Sequence, residues 1–303
     1  MDSVLISVGL PLALAVIMFG LGLALTVADF RRVATEPRAV AAALAAQLLL
    51  LPALCFGLVL ALGLDPVLAV GMMLLAASPG GTTATLFSHL FRGDIALNIT
   101  LTAVNSVIAV VTLPVVVNLA IGWFRPDVGD GSVGLQFDKT AQVFAVVLVP
   151  VVLGMLVRRW RPRFADAAER PVRILSAVVL VAVIVGAVLG ERERIGTYLA
   201  DIGIAAALFC VASLTIGYLV PRLVRVDHAR SVASAFEVGV HNSTLAIAVA
   251  VSVLGSSALA VPAAVYGVIM FPLAALAGVV LSRRDPDRRR PGVTRSASRP
   301  SRP

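Results

Sequence analysis

The sequence predicts an all-α, polytopic membrane protein, and three observations predict it. Of its 303 residues 59% are hydrophobic, and the mean hydropathy is +0.98, whereas a soluble domain is roughly half apolar. The apolar residues fall in runs long enough for the roughly 20 residues that a bilayer core asks of a helix. The charges lie between the runs, and mostly on one side: of 25 basic residues, 21 fall in alternate connections and the tail, and only Arg125, Lys139, Arg192 and Arg194 fall in the others. The positive-inside rule then places the N-terminus outside and the C-terminus in the cytoplasm, in a multi-pass protein of the cell membrane. The net charge of +8 is met by anionic lipid headgroups and asks for no nucleic acid. Metalloprotease, phosphate-loop and nucleophile-elbow motifs are absent from the sequence.

Nine spans are expected, at about 4–28, 38–62, 66–90, 94–122, 140–158, 172–190, 198–220, 229–254 and 259–282, as one transmembrane unit over 1–282. Span 1 is read as a helix and not as a leader, because Asp2 precedes it and it has neither a basic flank nor a clear cleavage site. Span 2 carries a lone polar residue, Gln47, and one of two cysteines, Cys55; the other, Cys210, lies in span 7, and both read as buried inert thiols. Span 3 is interrupted at its midpoint by Pro79, Gly80 and Gly81, since proline removes a backbone donor and clashes with the preceding turn. His89 falls at its inner end. Span 4 opens at Asp94, an expected N-cap, and sets Asn98, Thr102 and Asn105 on one helical face. Spans 5 and 6 flank a loop with six arginines between 158 and 173. His228 is expected in the loop before span 8. Span 9 ends in a Pro/Arg/Ser tail, 283–303, whose composition cannot form a core.

Span 8 is the anomaly. SVASAFEVGVHNSTLAIAVAVSVL carries Glu237 and the polar run His241-Asn242-Ser243-Thr244 near its middle, with no Lys or Arg between 231 and 254. An ionised carboxylate at membrane depth costs at least a few kcal/mol and persists only when compensated. A bound cation is one compensation. The other reading is a protonated Glu237 acting as interhelical glue. The polar run also marks a second break, where such side chains can cap a restarted helix. Spans 3 and 8 cross in opposite directions, and pairing spans 1–4 with 6–9 makes an inverted repeat. Paired broken helices in inverted repeats point to a transporter's midplane site. The N-termini of the second half-helices suit an anionic substrate. Neutral oxygens beside one carboxylate suit a hard cation and no transition metal.

Three stretches carry a resemblance to a known family. SPGGTTATLFSHLFRGDIALNITLTAVNS is similar to the broken helix and following turn of the bile acid:sodium symporter family, and FEVGVHNSTLAIAVA is similar to its E-x-G-x-[QH]-N signature; MFGLGLALTVADF, in span 1, adds a less specific likeness. The resemblance implies a panel of spans 1, 5 and 6 and a core of spans 2, 3, 4, 7, 8 and 9, with the two broken helices crossing. It implies two sodium ions. The first would be held by Glu237, Asn98, Thr102 and Thr85, with a further ligand position on Ala84, which has no side-chain oxygen; water or Asn105 is available to fill it. The second would be held by Glu237, Gln47, His241 and the carbonyls of Val238 and Val240, with His241 standing where glutamine is common. Substrate contacts would come from Thr82 and Asn242, with Thr83, Ser243 and Asn105 beside them.

The expected function is therefore sodium-coupled symport of an organic anion, a small carboxylate or bile-acid-like molecule, by alternating access. One alternative is a proton-coupled carrier using Glu237 and His241; a remote one is an intramembrane enzyme. The expected partners are the anion, sodium and membrane lipids, without cofactor; the sequence selects neither one anion nor an oligomeric state.

Overall fold

In a computed structural model, the described residues are 33–126, 137–168 and 195–283, with isolated positions among 15–23 and 171–178. The spans expected at about 4–28 and 172–190 fall largely outside the described residues, as does the tail beyond Arg283. The remainder is helical: α1 (Pro37–Ala61), α2 (Pro66–Ala77), α3 (Thr82–Leu90), α4 (Ile95–Phe124), α5 (Phe137–Trp160), α6 (Ile195–Leu223), α7 (His228–Gly239), α8 (Ser243–Ser252) and α9 (Val261–Arg283). No strand occurs among the described residues. Four helical stretches are long and apolar enough to cross a bilayer uninterrupted: Pro37–Ala61, Ile95–Phe124, Ile202–Leu223 and Ala258–Arg283. With the homology reported below, this makes the chain a multi-pass membrane protein.

Local chemistry sets most boundaries. Asp65, Asp94 and Asp227 each cap a helix with a carboxylate, accepting from Val67 N–H at 2.9 Å, Leu97 N–H at 3.0 Å and Arg230 N–H at 3.0 Å. The cap at Asp227 makes His228 the first residue of α7 and not a loop residue; its Nδ1 lies 3.0 Å from the Tyr218 hydroxyl. Span 3 divides into α2 and α3 because Ser78, preceding Pro79, turns extended (φ −74°, ψ 139°). Span 8 divides into α7 and α8, and Asn242 caps the restart by accepting from Leu245 N–H at 3.1 Å.

Packing sorts the helix faces. On α4, Val107, Val111, Val115 and Leu119 form an outward stripe at every fourth residue, while Asn98, Thr102 and Asn105 are buried. An apolar stripe facing out and polar groups facing in is the pattern of a helix solvated by lipid. Phe236 of α7 stacks on Phe87 and Phe91, at centroid distances of 5.6 and 5.8 Å, holding α3 against α7. Gly22, among the few described positions of the first span, meets Gly154 of α5 with backbone against backbone.

Candidate functional site

The two breaks meet. Gly80 and His241 form an isolated antiparallel bridge, so the unwound segments run in opposite directions where they touch. Unwound backbone at membrane depth must find partners inside the protein, and here each break supplies the other. Pro79 C=O accepts from Asn242 N–H at 2.8 Å. Ser78 C=O accepts from Gln47 Nε2 at 3.0 Å and lies 3.0 Å from His241 Nδ1; a carbonyl can only accept, so Nδ1 carries the proton. Gln47 is turned to this carbonyl from a π-helical stretch of α1, Ala46–Leu50, a local widening of the kind common at functional sites. His241 is held between Phe209, stacked at 5.4 Å, and Tyr266, edge-on at 5.4 Å. The Tyr266 hydroxyl donates to Gly239 C=O at 2.7 Å. In a continuous helix Asn242 N–H would serve the Val238 carbonyl; its diversion to Pro79 frees that carbonyl from an intrahelical bond.

Glu237 sits one turn below the second break and is 0% exposed. The Thr102 hydroxyl donates to its Oε2 at 2.6 Å, and Asn105 Nδ2 lies 3.4 Å from its Oε1. No ion pair to Glu237 exists among the described residues. Gly80 makes the close approach possible, because a Cβ there would stand 2.5 Å from the Glu237 carboxyl carbon and 2.6 Å from its backbone oxygen. The oxygen set continues away from the carboxylate: the Thr102 hydroxyl is 3.0 Å from Asn98 C=O, and the Thr85 hydroxyl donates to Asn98 Oδ1 at 2.7 Å. This is a run of neutral oxygens ending on one carboxylate. No group of three His, Cys, Asp or Glu placed to hold a metal ion exists among the described residues.

Beyond the breaks lies a cavity of about 340 Å³. Gly81, Thr83, Asn242, Ser243 and Thr244 line one side; Ile247, Val268, Met270 and Phe271 line another.

The expected residues thus divide into three places. Glu237, Thr102, Asn98 and Thr85 form one hydrogen-bonded chain, and Ala84 is buried in the core without contributing an oxygen. Gln47 and His241 share the Ser78 carbonyl and have no hydrogen bond to Glu237 among the described residues; Val238 and Val240 are buried beside them. Thr83, Asn242 and Ser243 line the cavity, and His241, expected at the ion, lines it with them. Thr82 opens α3, and its side chain lies outside what the structure describes. Asn105 does not line the cavity with the other expected substrate residues; it reaches Glu237. Sequence reasoning missed Ser78 and Tyr266. Ser78's position before Pro79 marked a carbonyl beyond the end of a helix, and Tyr266 is the lone hydroxyl-bearing aromatic of an otherwise apolar span.

Two discontinuous helices repair each other's backbone around the one wholly buried carboxylate among the described residues of a polytopic membrane protein. The sequence profile described as Sodium Bile acid symporter family matches residues 11–198. Over 263 residues the chain is 30% identical to the uncharacterized sodium-dependent transporter YocS of Bacillus subtilis, covering 87% of this chain and 79% of that protein. It is 28% identical to the probable sodium/metabolite cotransporter BASS1, chloroplastic, of Arabidopsis thaliana, over 84% of this chain and 62% of that one. A shorter match, 38% identical, joins 34% of this chain to 23% of human sodium/bile acid cotransporter 4. The chain belongs to the sodium bile acid symporter family, whose members are transporters that use sodium as the coupling ion and not enzymes.

Proposed function

We propose that the protein is a secondary active transporter that moves an organic anion inward together with sodium, by alternating access. The observation that carries this is Glu237, wholly buried, with Thr102 and Asn105 as its side-chain partners among the described residues. Sodium at Glu237, Thr102, Asn98 and Thr85 compensates the carboxylate. The anion occupies the cavity beside Thr83, Asn242 and Ser243, near the start of α8, whose N-terminal dipole end favours negative charge. Its apolar part lies against Ile247, Val268, Met270 and Phe271. Gln47, His241 and the carbonyls of Val238 and Val240 form a second polar locus for a second ion.

The architecture that serves this cycle has nine spans in the cell membrane, with the N-terminus outside and the C-terminus in the cytoplasm. An inverted repeat relates the two broken helices, and the core moves against a panel of spans 1, 5 and 6; the backbone contact of Gly22 with Gly154 supports grouping spans 1 and 5. The proton-coupled alternative uses Glu237 and His241; Nδ1 of His241 turns to the Ser78 carbonyl and not to Glu237.

The test is a thermal-shift screen of small carboxylates on purified protein, in sodium and in potassium. Sodium raises the melting temperature, one or more carboxylates raise it further only when sodium is present, and Glu237→Ala loses both effects. Equal melting in the two salts rejects the assignment.

A further inference from the structure

α4 and α7 lie side by side and run in the same direction, and their hydrogen bonds recur every four residues. Asp94 N–H donates to Ala229 C=O at 3.0 Å, Asn98 Nδ2 to Ala233 C=O at 3.0 Å, and the Thr102 hydroxyl to Glu237 Oε2 at 2.6 Å. Positions 94, 98 and 102 thus face 229, 233 and 237, one rung for each turn of about 6 Å. The top rung is the ion site. Whether Thr102 meets Glu237 depends on the register set about 12 Å below it, at the base of the ladder.

The base is an electrostatic problem with one solution in view. Two parallel helices begin side by side, so their positive dipole ends are adjacent. Asp94 caps α4 and Asp227 caps α7, and Glu36, just before α1, joins them. Three carboxylates converging on two neighbouring helix ends repel one another. Arg230 lies among them. Its guanidinium bonds Asp227 through Nη1 and Glu36 through Nη2, and its Nε is 3.9 Å from Asp94 Oδ2. One planar fork reaches three carboxylates from three segments, which an ammonium point charge cannot reproduce. An isolated surface ion pair contributes little, but this is a network that joins the starts of two helices.

We propose that Arg230 is a positioning residue for the ion site: it locks the bases of α4 and α7 in the register that brings Thr102 to Glu237, and thereby sets sodium affinity from two turns away. This rests on the reading of Glu237 as a sodium ligand.

The experiment is a sodium titration of the melting temperature of the purified full chain, without substrate, for wild type, Arg230→Gln, Arg230→Lys, Glu36→Gln and, as a control for lost positive charge, Arg225→Gln. Outer partners of ion ligands typically govern affinity by about 10–100-fold, so Arg230→Gln should move the onset of the sodium-dependent rise in melting temperature at least about 10-fold higher in sodium. Arg230→Lys and Glu36→Gln should move it less and in the same direction, and Arg225→Gln should leave it in place. A purely structural loss would lower melting at every sodium concentration without moving the onset. A wild-type onset in folded Arg230→Gln, or in both Arg230→Lys and Glu36→Gln should Arg230→Gln not fold, overturns the proposal. A wild type that ignores sodium overturns the ion-site reading itself, and the clamp with it.

Discussion

Glu237→Gln separates a cation-compensated carboxylate from an ordinary buried hydrogen-bonding group, because the two predict opposite signs. The substitution keeps the volume. The Thr102 hydroxyl, 2.6 Å from Oε2, can donate equally well to an amide oxygen. Asn105 Oδ1 is buried without a hydrogen-bond partner, and a turn of that amide lets it accept the new glutamine N–H. The Thr102 and Asn105 hydrogen bonds are therefore kept, the one from the Gly80 backbone N–H is the single one at stake, and a carboxylate that costs at least a few kcal/mol at membrane depth is removed. In potassium, Glu237→Gln should melt at or above wild type. In sodium the order reverses. An ion at a hundred times its dissociation constant adds about 2.7 kcal/mol to the state that binds it. At about 2–4 °C per kcal/mol this raises the wild-type melting temperature by about 5–11 °C, while the variant stays where it was. Differential scanning fluorimetry of purified protein in matched sodium and potassium chloride reads both numbers. A variant that melts well below wild type in potassium, or that keeps the full sodium increment, refutes the assignment.

Other substitutions probe the surrounding construction. Gly80→Ala places a methyl 2.5 Å from the Glu237 carboxyl carbon; it should destabilise by about 1–3 kcal/mol and abolish the sodium-dependent rise in melting temperature. Asn242→Ala removes the cap that α8 takes from this side chain, at a cost of about 1 kcal/mol, and Asn242→Asp, which keeps the cap but brings a negative charge to the cavity, should lose carboxylate binding in the thermal screen. Burial pushes the Asp227 carboxyl up, but hydrogen bonds from the Arg230 N–H and guanidinium outweigh it and hold it below the ordinary carboxylate range. Its contribution is complete above the unfolded value of about 3.9 and is lost as the pH falls through the lower folded value. Asp227→Asn keeps a competent cap, so its melting temperature should fall less steeply than that of wild type below about pH 4.

How much of this was legible depended on whether a signal is local. The break after Ala77 was readable because proline dictates the conformation of the residue before it, and the restart at Ser243 because Asn242 is a capping residue. Asp94 read correctly as a cap, and the i, i+4, i+7 spacing of Asn98, Thr102 and Asn105 placed all three on the buried face of α4. That face was a better guide to Asn105 than its grouping with the substrate residues, since it ends at Glu237. The Ser78 carbonyl could not be read, because backbone acceptors carry no residue-type signal. Gln47 was visible only as an isolated amide; the π-helical stretch that turns it toward Ser78 depends on packing between α1 and α2. Arg230 counted merely as one more cytoplasmic charge, because its role exists only once Glu36, Asp94 and Asp227, distant in sequence, share one corner of the fold.

The geometry also bears on why ion and anion would bind together. The oxygen set around Glu237 draws on α4, α7 and Thr85 of α3, whereas the cavity draws on the starts of α3 and α8 and on α9. The unwound segments, and α3 where it restarts from one of them, are common to both. Gly80 touches Glu237 on one side, and its neighbours Pro79 and Gly81 meet Asn242 on the other. An ion that holds Glu237 in place therefore holds the backbone against which Asn242 is fixed, and Asn242 sets the start of α8, where the anion would sit. Coupling of this kind needs no direct contact between the two ligands. It requires only that each pays less ordering entropy when the other has already fixed the shared segment. By linkage the effect is reciprocal: a carboxylate that binds more tightly in sodium must raise sodium affinity by the same factor. Measuring both from one set of melting curves checks the account internally. Because linkage makes the two factors equal whatever carries the coupling, the refuting result is a factor of one, sodium and carboxylate each binding as if the other were absent.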